Sequence, residues 1–243
     1  MEIPSKALLS VELIRAFYEY GLGCILSVPL QFISPKGNGQ PVMVIPGLGT
    51  TDTSTQYVRN FLSGIGYTPY SWGLGRNIGP KFGIDKLLRQ LTERVRDISN
   101  LSGGQRVTII GWSLGGIYAR EISKLVPDLV EQVITLGTPF KGDYSGTNAT
   151  FLYEMLSKDK SHKDPGIIKR IGTAPPVPFT SLYSKTDGVV HWTCSIEDES
   201  PIAENIEIPG ASHLGLGHNP ICMYVIANRL AQQQETWSPY HKR

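Results

Sequence analysis

The 243-residue sequence has few cysteines and little net charge. Its three cysteines, Cys24, Cys194 and Cys222, are far apart and form no C-x-x-C pair, which argues against a zinc site and a disulfide framework. A formal net charge of +2 gives no electrostatic reason to expect nucleic-acid binding. The sequence also contains no H-E-x-x-H metal motif and no P-loop for nucleotide phosphates. We therefore expect no metal, no organic cofactor and no nucleic-acid partner.

The chain also lacks a typical membrane-spanning run of apolar residues. Residues 8–22 are strongly apolar, but Glu12, Arg15 and Glu19 place a narrow polar stripe at helical spacing. Two glycines and a proline interrupt the apolar residues that follow, 20–33. A span needs about 20 predominantly apolar residues, so a transmembrane helix is disfavoured. A secretory signal peptide also fits poorly, because charged residues lie at the start and inside the apolar region.

The amino-terminal segment therefore has two interpretations. We expect residues 1–34 to form a helical segment packed on the main domain. The alternative is an interfacial helix that holds the protein on a membrane, an idea that basic residues between positions 158 and 170 also favour. The cysteine pattern favours a reducing compartment, so a cytoplasmic location with peripheral membrane association left open is expected. The sequence indicates no particular oligomeric state.

Residues 35–243 alternate short apolar strands with helices, a pattern that predicts a mostly parallel α/β sheet with helices on both faces. One connection, 139–178, is too long for an ordinary loop and is expected to form a small cap or lid. The predicted strands are 42–45, 67–72, 107–110, 133–136, 179–183 and 206–208, and the predicted helices are 54–62, 84–98, 114–124 and 220–232.

One strand–turn–helix unit carries the pentapeptide Gly111-Trp112-Ser113-Leu114-Gly115. A G-x-S-x-G match alone is a weak signal, but here a β-branched apolar strand precedes it and a helix follows it. A serine between a strand end and a helix start lies on a sharp turn that lifts its hydroxyl out of the sheet. The context therefore predicts Ser113 as a nucleophile.

A serine nucleophile needs a base, usually a histidine that a carboxylate holds in place. Among five histidines we favour His213, because it follows a strand on a glycine-flanked loop. His218, at the start of the last helix, is the alternative, although capping or packing explains it as well. Asp187 directly follows the strand 179–183, so it lies on the same sheet edge as the serine and is the favoured acid. Its rivals are the acidic residues 197–199, a run more typical of a solvent-exposed surface.

Acyl transfer also needs N–H donors for the developing oxyanion. The backbone N–H groups of Leu114, directly after the serine, and of Leu48, in the glycine-containing loop after the strand 42–45, are the candidates. A simple tight turn is the alternative explanation of that loop. Trp72, Leu74 and Trp112 are expected to line the substrate pocket.

Taken in order, these segments resemble the α/β-hydrolases of the lipase and esterase type. The resemblance covers the chain from about residue 41 to the last helix, and one departure is that Pro46-Gly47 stands where many lipases have His-Gly. The motifs that carry it are 42–49 (VMVIPGLG), 110–116 (IGWSLGG), 134–139 (ITLGTP), 184–190 (SKTDGVV) and 212–215 (SHLG).

The resemblance implies an α/β-hydrolase fold and a Ser113–Asp187–His213 triad, with Leu48 and Leu114 as oxyanion donors. It implies hydrolysis of a small-molecule or lipid carboxylic ester through an acyl-enzyme. A thioesterase, a phospholipid-directed acyl hydrolase and an acyltransferase remain alternatives. A catalytically silent scaffold that acts as a binding module is an alternative of a different class.

Overall fold

The computed structural model describes residues 2–80, 83–142, 147–148 and 164–240. Within this part of the chain, six strands form one sheet in the order β2-β1-β3-β4-β5-β6, and every neighbouring pair is parallel. The order reverses between β1 and β3, which places a crevice at their carboxyl ends. The strands are β1 (Pro41–Ile45), β2 (Thr68–Ser71), β3 (Val107–Trp112), β4 (Val130–Leu136), β5 (Phe179–Tyr183) and β6 (Ala203–Glu207).

Helices cover both faces of the sheet because alternate strand residues bury apolar side chains on opposite sides. One buried cluster joins strand residues such as Val44 and Ile110 to α1, α2 and α6, and the other joins Met43 and Ile109 to α3, α4 and α5. The predicted parallel α/β architecture is thus confirmed. The helices are α1 (Lys6–Ile33), α2 (Gln56–Gly64), α3 (Ile84–Leu101), α4 (Leu114–Leu125), α5 (Pro165–Gly172) and α6 (Pro220–Leu230).

Helix α1 runs unbroken for 28 residues, within the segment 1–34 that was expected to be helical. Pro29 lies near the carboxyl end of α1, where the loss of one intrahelical hydrogen bond leaves the earlier turns intact. Gly23 is needed for packing, since a Cβ there would lie 2.4 Å from the carbonyl oxygen of His218. By length and composition, α1 is long and apolar enough to cross a membrane, which the interrupted sequence pattern had argued against.

The polarity of α1 is inverted relative to a surface helix of a soluble protein. Glu12 and Glu19 are buried against the sheet domain, with 2% and 6% of their surfaces exposed. The side that faces away from the domain is apolar, and its most exposed side chains are Leu13, Ile14, Phe17, Tyr18, Ile25, Val28, Phe32 and Ile33.

About half of the predicted cap, 139–178, lies outside the described residues, namely 143–146 and 149–163. The described ends of this segment pack on the core. Phe140 is buried against Phe179. Helix α5 packs beside α4, where Arg170 forms an ion pair with Glu121. The division between residues 34 and 35 and the role of the cap stay predictions.

Candidate active site

Ser113 occupies a strained turn between β3 and α4. Its φ of 53° and ψ of −122° make it the one non-glycine residue with a positive φ in the described part of the chain. Such a conformation costs about 1–3 kcal/mol and persists only where surrounding contacts hold it. Here the Ser113 N–H donates to the Leu136 carbonyl at 2.8 Å, and the Thr138 hydroxyl donates to the Ser113 carbonyl at 3.0 Å.

The glycines of the pentapeptide let α4 approach the sheet closely. A Cβ at Gly111 would lie 2.4 Å from the Gly116 Cα, and one at Gly115 would lie 2.5 Å from the Ile45 carbonyl oxygen. Gly116 would place a Cβ only 2.0 Å from the Thr138 hydroxyl oxygen. Side chains at these positions would push the helix away, so the glycines fix the turn on which the serine lies.

Asp187 and His213 form a buried hydrogen-bonded pair at the carboxyl ends of β5 and β6. The His213 Nδ1 lies 2.7 Å from the Asp187 Oδ2, and both residues are less than 5% exposed. The other carboxylate oxygen, Oδ1, accepts the N–H groups of Val189 at 2.8 Å and Val190 at 2.7 Å. These bonds fix the carboxylate plane and leave the opposite ring nitrogen of the histidine, Nε2, for proton transfer.

Gly137, which follows β4, lies between the serine turn and the Asp–His pair. A Cβ on Gly137 would be 3.0 Å from the His213 Nδ1 and 3.1 Å from the Asp187 Oδ2, and its φ is +54°. Its neighbours Leu136 and Thr138 bind Ser113, as described above. The segment 136–138 therefore contacts all three predicted triad residues, although no described hydrogen bond links the Ser113 hydroxyl to His213. Such bonds are often longer before substrate binds.

The electrostatic surroundings favour a protonated His213. Burial by itself would lower the pKa of the imidazole, but the charge of Asp187 and its hydrogen bond outweigh burial, and the net pKa is raised above 6.5. The carboxylate of Glu12 raises it further. An imidazole of this kind is a stronger base toward a serine proton and stabilises the imidazolium that forms.

The predicted oxyanion donors lie at the two sides of the crevice. Leu48 follows β1 and Leu114 begins α4, and neither backbone N–H has a hydrogen-bond partner within the described residues. Gly47 brings the first loop close, because a Cβ there would lie 3.3 Å from the Ser113 Cβ. The two N–H groups are thus available to an oxygen near the serine.

Asn77 supports the oxyanion loop where the motif lacks the usual His-Gly. Its buried side-chain amide donates to the Pro46 carbonyl at 2.8 Å. Its backbone N–H donates to Thr50, and its carbonyl accepts from Gly49, at 2.8 and 2.6 Å. Sequence reasoning missed Asn77 because it is 31 residues from Pro46 and belongs to no motif.

The predicted pocket residues occupy two places. Trp72 and Leu74 line a cavity of about 240 Å³ whose lining includes no triad residue, and the Trp72 indole donates to the Gly75 carbonyl. The Trp112 ring is buried in the core, where its N–H donates to the His213 carbonyl at 3.1 Å. The structure thus places Trp112 as a support of the histidine loop, and a contact of these three residues with substrate stays a prediction.

The structure also shows what surrounds His218, the alternative base, and Glu197, one of the alternative acids. His218 packs its ring against Trp112, and burial lowers the pKa of this imidazole. Glu197 forms a buried ion pair with Arg120 at 2.7 Å. Both residues have structural contacts that account for them. Among the described residues, no cluster of His, Cys, Asp and Glu side chains could hold a metal ion.

Comparisons with known proteins bear on the fold and the class of protein. No family model matches the chain. It is 26% identical over 191 residues to lipase B of Pseudozyma antarctica, covering 72% of this chain and 52% of that protein. It is 29% identical over 125 residues to a triacylglycerol lipase of Pseudarthrobacter phenanthrenivorans, covering 49% of this chain and 38% of that protein. The chain thus spans about half or less of the length of these curated relatives.

Solved structures share the fold at low sequence identity. Lipase B of Aspergillus fumigatus superposes with a TM-score of 0.60 and 18% identity, over 81% of this chain and 53% of that one. Together with the parallel sheet and the serine turn, these similarities show that the chain has the α/β-hydrolase fold and that it resembles lipases.

Proposed function

We propose that the protein hydrolyses carboxylic esters through an acyl-enzyme, with Ser113, Asp187 and His213 as the catalytic triad. The observation that carries the proposal is the buried Asp187–His213 hydrogen bond beside a serine held at positive φ. A scaffold without catalysis has no need for this strain or for two buried, paired titratable groups.

The first half of the reaction forms the acyl-enzyme. The Ser113 oxygen attacks the ester carbonyl carbon while its proton passes to the Nε2 of His213. The resulting oxyanion accepts hydrogen bonds from the backbone N–H groups of Leu48 and Leu114. As the intermediate collapses, the imidazolium returns the proton to the leaving alcohol, and the acyl group stays on the serine.

The second half releases the acid. Water attacks the acyl carbonyl as His213 takes one of its protons, and the same oxyanion donors stabilise the second intermediate. When the serine leaves as an alcohol it regains the proton from the histidine. Asp187 holds the ring orientation and stabilises its charge in both halves.

The substrate class that we propose is a lipid ester. Two curated relatives are named triacylglycerol lipases, and the exposed side of α1 presents large apolar side chains at the edge of the domain. Thioesters, phospholipids and acceptors other than water would pass through the same acyl-enzyme and are distinguished by the products.

The apolar side of α1 suggests a lipid bilayer as its contact surface. Of the four charged residues in α1, Lys6 lies in the first turn, and Glu12, Arg15 and Glu19 bind loops of the domain. The remaining outer face offers hydrocarbon without charge, which is complementary to acyl chains. We propose peripheral attachment through this face, with α1 lying along the domain.

The test of the catalytic proposal compares wild type with Ser113→Ala on p-nitrophenyl esters from acetate to palmitate. We expect the substitution to lower kcat by roughly 10⁴-fold or more, since the triad acts as a unit. A fluorophosphonate probe should label the wild type and not the variant. Folded wild type that neither turns over any ester nor reacts with the probe would contradict hydrolysis and favour a silent binding module.

A further inference from the structure

Three polar residues of α1 reach the two loops that carry the triad acid and base. We call residues 184–190, after β5, the acid loop and residues 208–219, after β6, the base loop. Neither loop is near α1 in sequence, and the contacts span more than 170 residues. The polar stripe Glu12, Arg15 and Glu19, which would face solvent on a typical surface helix, lies against these loops instead.

Glu12 binds both loops at once. Its Oε1 accepts the N–H of Gly188, next to the catalytic acid, at 2.7 Å. The same oxygen accepts the N–H of His213 itself at 3.2 Å, and its Oε2 accepts the N–H of Leu214 at 3.2 Å. One carboxylate therefore fixes the distance between the main chains on which Asp187 and His213 lie.

Glu19 holds the base loop on the other side of the histidine. Its Oε1 accepts the Ser212 N–H at 2.8 Å, and its Oε2 accepts the side-chain amide of Asn219 at 3.0 Å. Gly215 leaves room for this carboxylate, since a Cβ there would lie 2.4 Å from the Glu19 Cδ. The N–H groups of residues 212, 213 and 214 are thus all bound by α1.

Arg15 links the loops from a partly exposed position. Its guanidinium donates to the Thr186 carbonyl at 2.7 Å and to the Thr186 hydroxyl at 2.9 Å. It also donates to the Gly210 carbonyl at 2.9 Å. It lies 3.8 Å from the Glu12 carboxylate, so the two charges partly balance each other.

We infer that Glu12, Arg15 and Glu19 are positioning residues of the active site, so that α1 is part of the catalytic apparatus as well as a lipid-facing helix. This inference rests on the proposed ester hydrolysis. Burying a carboxylate is unfavourable unless hydrogen bonds compensate, and apolar side chains would attach a helix at lower cost. The use of two buried carboxylates on the histidine loop indicates that placement of the loop is what they provide.

The electrostatic consequence concerns His213. The charged groups that face it are Asp187 from the acid loop and Glu12 from α1. Glu19 binds the preceding residue, Ser212, and Arg15 lies beside Glu12. The Glu12 charge favours the imidazolium. A change at Glu12 should therefore alter the protonation of the base, an effect that loss of packing alone does not produce.

The test uses Glu12→Gln in the full chain. Glutamine keeps an oxygen for Gly188 and His213 but loses the charge and the acceptor for Leu214. We expect kcat on a p-nitrophenyl ester to fall by roughly 10- to 100-fold with little change in KM, because the reacting groups are misplaced. The acid limb of the kcat/KM profile should move to lower pH, because the neutral base persists further into acid. Lys6→Gln removes an exposed charge from the same helix and should leave both the rate and the profile unchanged.

A second variant guards against loss of folding. Arg15→Met keeps the aliphatic stem at a partly exposed position and removes the three hydrogen bonds that link Thr186 and Gly210. It should lower kcat several-fold, with a melting temperature close to that of wild type. The pKa of His213, followed by NMR of histidine-labelled protein and assigned with His213→Gln, provides a readout that needs no turnover.

The outcomes separate this inference from the proposed function. Inactive wild type that also resists the phosphonate probe contradicts ester hydrolysis itself. Active wild type with unchanged kcat, pH profile and His213 pKa in folded Glu12→Gln and Arg15→Met contradicts the positioning role alone. If Glu12→Gln does not fold, normal kcat in both Arg15→Met and Glu19→Gln overturns the inference.

Discussion

At the scale of single residues, Gly137 shows how closely the serine turn approaches the acid and base loops. A methyl group there would lie 3.0–3.1 Å from both partners of the Asp187–His213 hydrogen bond, on a backbone with a φ of +54°. We expect Gly137→Ala to lower kcat by roughly 100-fold, since displacements near 1 Å at reacting groups have effects of this size. The free energy of unfolding should fall by about 1–2 kcal/mol from the left-handed backbone. Ester kinetics and thermal denaturation measure the two effects.

Gly103→Ala is the matched control. Gly103 has a φ of +70°, and nothing lies within 4 Å of its Cβ position, so this variant has the backbone strain without the collision. It should lose similar stability and keep the wild-type kcat. Equal rates in the two variants would mean that Gly137 has no part in spacing the triad.

The serine, acid and histidine of the candidate site could be predicted from sequence because each has a recognisable local sequence context. Ser113 lies between a strand and a helix, and Asp187 and His213 follow strands. Gly137 belongs to the motif 134–139, but the motif does not reveal its spacing role, which depends on contacts with residues 50 and 76 positions away. Long-range contacts of this kind are absent from any local pattern.

At the scale of loops and helices, Asn77 holds the predicted oxyanion loop in place through its bond to the Pro46 carbonyl. Asn77→Asp keeps the acceptor for Gly79 but removes the donor and sets a carboxylate against that carbonyl. We expect kcat to fall by roughly tenfold with a small change in KM, because the displaced Leu48 N–H acts mainly on the transition state. Kinetics on one ester over a range of concentrations separate the two constants.

Arg76→Met provides the comparison for Asn77. Arg76 donates to the Gly49 carbonyl of the same loop at 2.9 Å, but its contact is exposed to solvent. Its loss should change kcat by less than twofold or threefold, as exposed hydrogen bonds contribute little. A fall as large as that of Asn77→Asp would place the support of the loop outside the buried amide.

The strands were predictable as elements because their apolar β-branched runs are short and separated by turns. Helix α1 was expected as a helical segment, but its unbroken length and its ability by composition to cross a membrane were not. Gly23 and Pro29 weaken a helix in isolation, but packing of the Gly23 backbone against His218 and the bonds of the polar stripe stabilise the continuous helix. Tertiary contacts override local propensity in such cases.

At the scale of the whole molecule, α1 places an apolar surface next to the loops of the active site. Its charged residues bind those loops, and its outer face is hydrocarbon. An enzyme acting on lipid esters would gain from this arrangement, because the proposed lipid-contacting surface is directly bonded to the base loop, which carries the proposed catalytic histidine. Spanning the bilayer would require α1 to leave the domain and expose two buried carboxylates.

The lipid-surface proposal is tested by flotation of the full chain with phosphatidylcholine vesicles. Phe17→Ser, Ile25→Ser and Phe32→Ser are combined, since these side chains are 75–87% exposed and lie on the outer face of α1. Each loses about 1.5–3 kcal/mol of apolar transfer free energy, so partitioning should weaken by at least roughly a thousandfold. Wild type should float with the vesicles, and the triple variant should stay in the dense fraction.

The control triple variant changes Leu101, Leu125 and Ile221 to serine, three exposed apolar residues outside α1. It should float like wild type, because the proposed contact depends on the location of the apolar surface and not on its total amount. Light scattering decides whether the outer face of α1 instead binds a second copy of the chain. A wild-type dimer that the α1 variant converts to monomer, together with no flotation of wild type, would assign the face to self-association and contradict the lipid contact.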